Sequence, residues 1–361
     1  MTAPGIDATA LDQLSAGALA LAAGAEESST RAMRDWTLAA LRQHGPVPLV
    51  SHRDLTAGQL CAAVSLVGSS AALSEQLPAG QEPLRAVRAL EHRLGGRIGV
   101  VVALNTAAEN ALLAVVTAAV AGVPLLDGDG CGRVLPLLEQ TTFTLAGIPV
   151  APLAVAFPSG GVVLLDTGGE VEALVRPVVQ AAGGWAVAVG YAMTGEQLAS
   201  AAVPGTVTIA LAAGRAIGEG KRPPARGQRL GRGRVEAVEH PAPRSAADQS
   251  GHPLPSSPTS IVIAETSAPH RRFRLEAHNE VLLAFADGAP IAAAPDQILM
   301  VTTPGQRVLD VERVLPGIEV DLVVLAADPA WHTGEGRRLA RAGSPLLDVT
   351  ATLDSPRKEG Q

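Results

Sequence analysis

The chain has 361 residues, of which 47% are hydrophobic and only 2% aromatic, and it carries a formal net charge of −7. The length predicts at least two domains, and the acidic balance excludes a globally basic protein that binds nucleic acid or a membrane surface. The scarcity of aromatic rings excludes base stacking on single-stranded nucleic acid.

Cys61 and Cys131 are the two cysteines of the sequence. Two cysteines cannot form a disulfide framework or a four-thiolate zinc site, so we expect a reduced, cytoplasmic protein. The N-terminal residues lack the basic and apolar regions of a signal peptide. The longest apolar runs, Ala111–Val123 and Val207–Ala213, are too short to cross a bilayer.

The first 150 residues alternate between helical and strand patterns. We expect helices at Ala8–Gln43 (with a break near Gly24), Glu82–Leu94 and Ala107–Ala121, a helix or turn at Asp54–Ala63, and strands at Pro46–Ser51, Ala63–Val67, Arg97–Leu104 and Val123–Leu126. The run RIGVVVAL at Arg97–Leu104 is apolar almost throughout, which is typical of a strand buried on both faces of a parallel sheet. Its place in a strand–helix–strand succession predicts an N-terminal, mostly parallel α/β domain over residues 1–150.

The remaining residues, 151–355, predict a second domain of the α+β class. Its first part indicates strands at Gly160–Asp166 and Trp185–Tyr191 and helices at Glu170–Ala182, Thr194–Ala202 and Gly205–Ile217. Thr194 with Gln197 three residues later is a capping-box pattern.

Basic residues crowd the stretch Gly218–Arg234, and a Pro/Ser-rich stretch follows at His240–Ser260. We interpret residues 218–258 as a loop or disordered insertion, with a local anion-binding patch as the alternative for the basic part. Short strand patterns then predict a small β-barrel or sandwich within about residues 225–330. They lie at Ser260–Glu265, Phe273–His278, Val281–Ala286, Ile298–Val301 and Ile318–Ala326, with a last strand pattern at Leu346–Val349.

The segment LLDGDGCGRVLPLLEQTTF at Leu125–Phe143 carries the most chemical information. A buried strand ends in Asp127, Gly128, Asp129 and Gly130, and Arg133 follows. Ligands of open α/β sheets bind at the carboxyl ends of strands. There carboxylates perform acid–base catalysis or bind a metal, arginine binds a carboxylate, and glycines such as Gly128 and Gly130 let the backbone approach a substrate closely. The alternative is a glycine-rich turn whose aspartates cap a helix.

Two familiar motifs are excluded for this segment. It lacks the downstream glutamate of an EF-hand calcium loop and the later glycine of a dinucleotide fingerprint. Cys131 could be interpreted as a nucleophile, but the simpler interpretation is that it is a small, packed side chain.

Several stretches together resemble a bacterial family, that of the S-methyl thiohydantoin desulfurase-like proteins, once grouped with hydantoinase/oxoprolinase-related proteins. The stretches are Leu125–Ala154, Gly45–Leu55, Leu77–Ile98, Val203–Ile217, Phe273–Gly288, Ala294–Val301 and Leu315–Leu339. The resemblance covers nearly the whole chain apart from about residues 220–258. It implies an α/β N-terminal domain, a C-terminal domain with a barrel-like part, and a homo-oligomer.

The resemblance also implies a hydrolase, in which water attacks a carbon of a hydantoin-like ring and expels methanethiol. Asp127 and Asp129 would then polarise water or hold a metal, and Arg133 would bind a substrate carboxylate. Hydrogen bonds would come from Thr141 and Thr142, together with Asn110 from the helix after the Arg97–Leu104 strand. The residues leave open whether a divalent metal takes part.

Three departures from the family pattern fall near this expected site. Gly24 alone is left of a glycine run within Leu21–Met33, Leu137–Gln140 departs from the pattern that follows Pro136, and the third departure lies before Asn110. There an acidic residue and paired glycines are replaced by Asn105, Ala107 and Ala108. The alternative function is therefore a catalytically silent member with a binding or regulatory role, in company with a homologous subunit.

Overall fold

The structure is a computed structural model. It describes residues 5–22, 27–166, 171–221, 227–240, 259–277, 280–303 and 307–340. The chain divides into two compact units, Met1–Pro224 and Ala225–Gln361.

The first unit combines strands and helices in alternation. Its strands are β1 (Gly5–Ile6), β2 (Val47–Val50), β3 (Leu60–Gly68), β4 (Val100–Ala103), β5 (Leu125–Asp129), β6 (Leu153–Ala156), β7 (Val162–Leu165), β8 (Trp185–Thr194) and β9 (Val203–Pro204). Its helices are α1 (Ala8–Leu21), α2 (Glu27–His44), α3 (Ser70–Glu75), α4 (Glu82–Leu94), α5 (Ala108–Ala121), α6 (Thr142–Leu145), α7 (Val171–Ala181), α8 (Gly195–Ala201) and α9 (Thr206–Gly218).

These strands form one nine-stranded sheet in the order β1-β2-β5-β4-β3-β8-β6-β7, with β9 paired to β5. The neighbours β2, β5, β4 and β3 are parallel to one another, which confirms the parallel sheet expected from the strand–helix–strand pattern. Strands β8, β6 and β7 extend the same sheet in antiparallel pairing.

Two hydrophobic layers cover the sheet. One contains apolar side chains of α1, α2, α4, α5 and α9, and the other contains those of α6, α7 and α8. Successive residues of β5 face opposite layers, since Leu125 packs in the first layer and Leu126 in the second. Helix α5 is apolar nearly all round and almost wholly buried, as expected for a helix that packs both on the sheet and beneath other helices.

The second unit is built around a closed antiparallel barrel of six strands, which confirms the barrel alternative of the sequence prediction. The strands are β10 (Gln228–Glu239), β11 (Thr259–Glu265), β12 (Arg272–Ala277), β13 (Val281–Ala286), β14 (Ala289–Thr302) and β15 (Glu319–Leu325). Its interior is filled by aliphatic side chains and Phe273. Helix α10 (Gly334–Ala340) follows the barrel.

The basic stretch before residue 235 is largely a strand, so its interpretation as a loop was wrong for β10. Arg232 forms two hydrogen bonds with the buried Asp321 of β15, at 2.8 and 2.9 Å, and Arg234 pairs with Glu319 at 2.8 Å. Cross-strand ion pairs therefore account for these arginines. Residues 222–226 and 241–258 of the expected insertion lie outside the described residues.

Other differences are local. The expected helix or turn at Asp54–Ala63 is a short 3-10 helix at His52–Asp54, followed by a turn and by β3 from Leu60 onward. Strand β6 was missed because its four residues LAVA carry no alternation. The capping box of Thr194 and Gln197 is confirmed. The strand pattern at Leu346–Val349 lies outside the described residues.

Candidate functional site

The expected site residues lie where β4 and β5 end. The β5 strand is irregular here, since Leu125 is opposite Val101 but Asp129 is opposite Ala103, so β5 has two extra residues between these pairs. Such bulges change the direction of a strand and are common next to functional sites.

Asp129 ties together the two loops that follow β4 and β5. Its Oδ2 accepts the Thr106 backbone N–H at 2.7 Å, and its Oδ1 accepts the N–H groups of Cys131 at 2.9 Å and Gly132 at 2.6 Å. Only 1% of the residue is exposed. Burial raises the pKa of this carboxyl group, and the backbone donors oppose that rise because they stabilise the charged form.

Asp127 has a different set of partners. Its Oδ1 accepts the Thr208 backbone N–H at 2.9 Å, and its Oδ2 accepts the Thr208 hydroxyl at 2.6 Å. Thr208 is in the first turn of α9, whose N-cap residue Gly205 supplies no side-chain acceptor. Asp127 therefore caps α9 from a neighbouring strand, a placement that the helix dipole also favours.

Gly128 and Gly130 of the motif lie where neighbouring protein atoms leave no room for a side chain. A Cβ atom at Gly128 would lie 2.8 Å from the Val203 carbonyl oxygen, and one at Gly130 would lie 2.5 Å from the Phe143 ring. The Gly130 carbonyl also accepts the Thr142 N–H at 2.6 Å and its hydroxyl at 2.9 Å. Any larger residue at either position would displace β9 or α6.

Thr141 and Asn110 also bond to neighbouring elements. The Thr141 hydroxyl oxygen accepts the Thr144 N–H at 3.1 Å, which makes it the N-cap of α6. The Asn110 Oδ1 accepts the Leu66 N–H at 2.7 Å, and its amide donates to the Asn105 Oδ1 at 3.2 Å. Asn110 thus connects the end of β3 to the loop that follows β4.

Arg133 lies on the same loop as Gly130 and is 5% exposed. Its Nε donates to the Val134 carbonyl oxygen at 3.0 Å. Cys131 is buried, and its thiol donates to the Gln140 carbonyl oxygen at 3.3 Å. The structure therefore places the Cys131 backbone against Asp129, with Arg133 two residues later on the same loop, and it places the Asp127 side chain at the first turn of α9.

Two residues that the sequence did not point to, Glu172 and Tyr191, bind the backbone N–H and carbonyl groups of Leu138. The Leu138 N–H donates to Glu172 at 3.0 Å, and the Leu138 carbonyl accepts the Tyr191 hydroxyl at 2.8 Å. Burial raises the pKa values of both Glu172 and Tyr191. The available signal was that Tyr191 is the one tyrosine of the chain, because a buried tyrosine needs a partner for its hydroxyl.

Glu109 was also missed, although it directly precedes Asn110. It lies buried in the first turn of α5 and accepts a hydrogen bond from the Ser29 hydroxyl of α2. Before it, Ala107 and Ala108 form a small apolar cluster with Ala22, and Val134 packs against that cluster. Ala108 has a φ angle of +40°, in the left-handed region that favours glycine.

Within the residues that the structure describes, no group of three or more His, Cys, Asp or Glu side chains is placed to hold a metal ion. The described helices include none with the length and apolarity needed to cross a membrane.

Fold and site together define a two-part protein, with an α/β unit that carries a polar cluster at its strand ends and a unit built on a six-stranded barrel. Family models also divide the chain in two, but at residues 166–167, so the C-terminal family domain includes α7, α8 and α9 of the first compact unit. The S-Me-THD-like N-terminal domain matches residues 9–167, and the S-Me-THD-like C-terminal domain matches residues 166–345. The chain belongs to the S-Me-THD-like family.

A solved structure has the same fold. The crystal structure of a protein from Chromobacterium violaceum is similar with a TM-score of 0.73 at 23% sequence identity, over 98% of each chain. None of the curated proteins matches this chain.

Proposed function

We propose that this protein is a hydrolase of the S-methyl thiohydantoin desulfurase type, acting on a small hydantoin- or thiohydantoin-like ring at the ends of β4 and β5. The observation that carries the proposal is Asp129, a buried carboxyl group with a raised pKa at a parallel strand end. Perturbed carboxyl groups concentrate at functional sites, and strand ends are where open α/β sheets bind ligands. Membership of the S-Me-THD-like family supports the choice of this substrate class.

The proposed reaction replaces a methylthio group by water. The water oxygen bonds to the ring carbon, the carbon–sulfur bond breaks, and the sulfur leaves as methanethiol after it takes a proton. Asp129 accepts one proton of the attacking water and then passes it to the departing sulfur, a role for which a raised pKa suits a carboxylate. Arg133, on the adjoining loop, binds a substrate carboxylate or ring oxygen.

We assign positioning roles to the other expected residues. Asp127 holds α9 against β5, and Asn110 holds the loop after β4. Thr141 and Thr142 hold the start of α6. These bonds fix the two loops between which Asp129 lies, and such preorganisation keeps reacting groups in place.

The test measures methanethiol release from an S-methyl thiohydantoin with a thiol-reactive dye. We expect turnover by the full chain and a loss of about 100-fold or more in Asp129→Asn, in line with removal of a general base. Asp12→Asn is the matched control, because Asp12 is an exposed aspartate that pairs with Arg34 on the helical layer. Equal turnover in Asp129→Asn and Asp12→Asn would contradict the role of Asp129. No turnover by the unmodified chain would contradict the hydrolase.

A binding role without catalysis is the second candidate, and one observation favours it. Both candidate carboxylates already accept N–H groups of the protein, and the methyl groups of Ala107 and Ala108 are packed beside Val134. This candidate predicts a thermal shift with hydantoins but no methanethiol, and co-purification with a homologous subunit. Turnover by the purified chain alone would exclude it.

The proposal includes a reducing, cytoplasmic setting. Both cysteines of the chain are buried free thiols, which suits a compartment that keeps thiols reduced. Mass determination of the protein from its native host, with thiols blocked at lysis, checks this.

A further inference from the structure

Strand β7 is one edge of the nine-stranded sheet, and within the described residues it pairs only with β6. Val162 and Leu164 on this strand are 39% and 38% exposed. Val163 and Leu165, which alternate with them, pack against the layer that contains α7. An apolar edge strand of this kind is a template for pairing with another strand.

The backbone of β7 shows which of its polar groups face outward. The Phe157 N–H donates to the Gly161 carbonyl at 3.0 Å, so residue 161 directs its polar groups towards β6. The direction alternates along an antiparallel strand, and the register with β6 is regular over the whole of β7. Val162 and Leu164 therefore direct their N–H and C=O groups away from the sheet.

We propose that β7 pairs with β7 of a second copy of this chain, antiparallel about a two-fold axis at Val163. In this register Val162 of each copy lies opposite Leu164 of the other, and each of these pairs exchanges both backbone hydrogen bonds. A register shifted by one residue would place core-facing side chains opposite exposed ones. The two sheets then form one continuous sheet across the dimer.

Charge complementarity favours a second copy as the occupant. Arg85 of α4 lies against the turn between β6 and β7, since a Cβ atom at Gly160 would lie 2.6 Å from its Nη1. At the other end of β7, Asp166 pairs with Arg93 at 2.5 Å. The proposed register brings the turn of one copy beside residue 166 of the other, so Arg85 meets the partner's Asp166 twice in the dimer.

A cysteine at the axis tests the register. Residues directly opposite each other in a non-hydrogen-bonded antiparallel pair are about 4.5 Å apart between Cα atoms, within the range for a disulfide. We expect Val163→Cys to form a disulfide-linked dimer under mild oxidation, and Val162→Cys, the matched control, to stay unlinked because it faces Leu164. The native cysteines are buried and do not interfere. Linkage of Val162→Cys in place of Val163→Cys would overturn the proposed register.

Sedimentation equilibrium of the full chain tests the interface itself. We expect a dimer that Leu164→Arg converts to a monomer, while Leu77→Arg, a change at another exposed leucine, leaves it intact. Arg85→Glu is expected to weaken the dimer, because it sets a carboxylate against the partner's Asp166. A monomeric unmodified chain, or a dimer indifferent to Leu164→Arg, would overturn the proposal. The proposal would also be overturned by a monomer that binds an extended segment of another protein at β7, because the partner of this edge strand would then be a different protein.

Discussion

The backbone conformation of Ala108, in the loop after β4, leads to a prediction about the stability of glycine variants. Its φ angle is +40°, whereas its neighbour Ala107 has an ordinary extended φ of −121°. Both residues are buried in the same small cluster with Ala22. Replacing each in turn by glycine therefore removes one methyl group from the same surroundings, but relieves an unfavourable backbone conformation only at residue 108.

The expected magnitudes follow from three contributions. An L-residue in the left-handed region costs about 1–2 kcal/mol, which Ala108→Gly recovers. Both variants lose about 0.5–1 kcal/mol through the greater freedom of glycine in the unfolded chain, and about 0.8 kcal/mol for the buried methyl group. Ala107→Gly is thus expected to destabilise by about 1.3–1.8 kcal/mol, and Ala108→Gly to change stability by less than about 1 kcal/mol in either direction.

Urea unfolding of the two variants, monitored by tryptophan fluorescence, provides the measurement. The midpoints are compared at equal slope, because a changed slope would report a change in the unfolded state. We expect Ala108→Gly to exceed Ala107→Gly in unfolding free energy by about 1–2 kcal/mol. Equal losses in the two variants would show that the backbone of Ala108 stores no strain.

Three further predictions concern the loops around Asp129. Asp127→Ala removes the acceptor at the start of α9 and is expected to lower the unfolding free energy by about 0.5–2 kcal/mol, read from the urea midpoint. Adding Thr208→Ala to this variant should cause little further loss, because the contact between the two side chains is already absent. Tyr191→Phe leaves the buried Leu138 carbonyl without its hydroxyl donor and is expected to cost about 1–3 kcal/mol in the same assay. The pKa of Asp129 is raised above its ordinary value of 3.8, so its contribution to stability is full below pH 3.8 and is lost as the pH rises through the folded-state pKa. The stability of the unmodified chain relative to Asp129→Asn should therefore fall as the pH rises, and an advantage constant with pH would contradict the raised pKa.

Local patterns sufficed for much of the fold. The apolar run around β4 and the helix after it predicted the parallel part of the sheet, and the short alternating strands after residue 260 predicted the barrel. Strand β10 was missed because its outward positions are arginines, which resemble a solvated linker until Asp321 and Glu319 of a strand far along the chain are placed beside them. Partners of that kind are set by barrel closure, which no local pattern contains.

The candidate site, like the fold, could be predicted from local sequence only in part. The motif at Asp127–Gly130 was identified as important, and in the structure Asp129 accepts the N–H groups of Cys131 and Gly132 on the loop that carries Arg133. The partner of Asp127 was out of reach of the sequence, because Thr208 is 81 residues away. Glu172 and Tyr191 were likewise missed, since each meets Leu138 only through the packing of α7 and β8 on the second layer.

The alternation of β5 explains why aspartate and glycine alternate in this motif. Leu125 faces the layer of α5 and α9, and Asp129 lies opposite Ala103, which faces the same layer. Asp127 reaches α9 in that layer, and Asp129 reaches the loop that leads into α5. The glycines between and after them leave room for β9 and the Phe143 ring of the other layer. Asp127 is therefore directed to the beginning of α9, where partial positive charge favours a carboxylate, whereas Asp129 accepts N–H groups of the loops before α5 and after β5. A substrate carboxylate that approached these two loops would compete with Asp129 for the N–H groups of Thr106, Cys131 and Gly132, and for this reason we propose that Arg133 binds substrate charge and Asp129 transfers the proton.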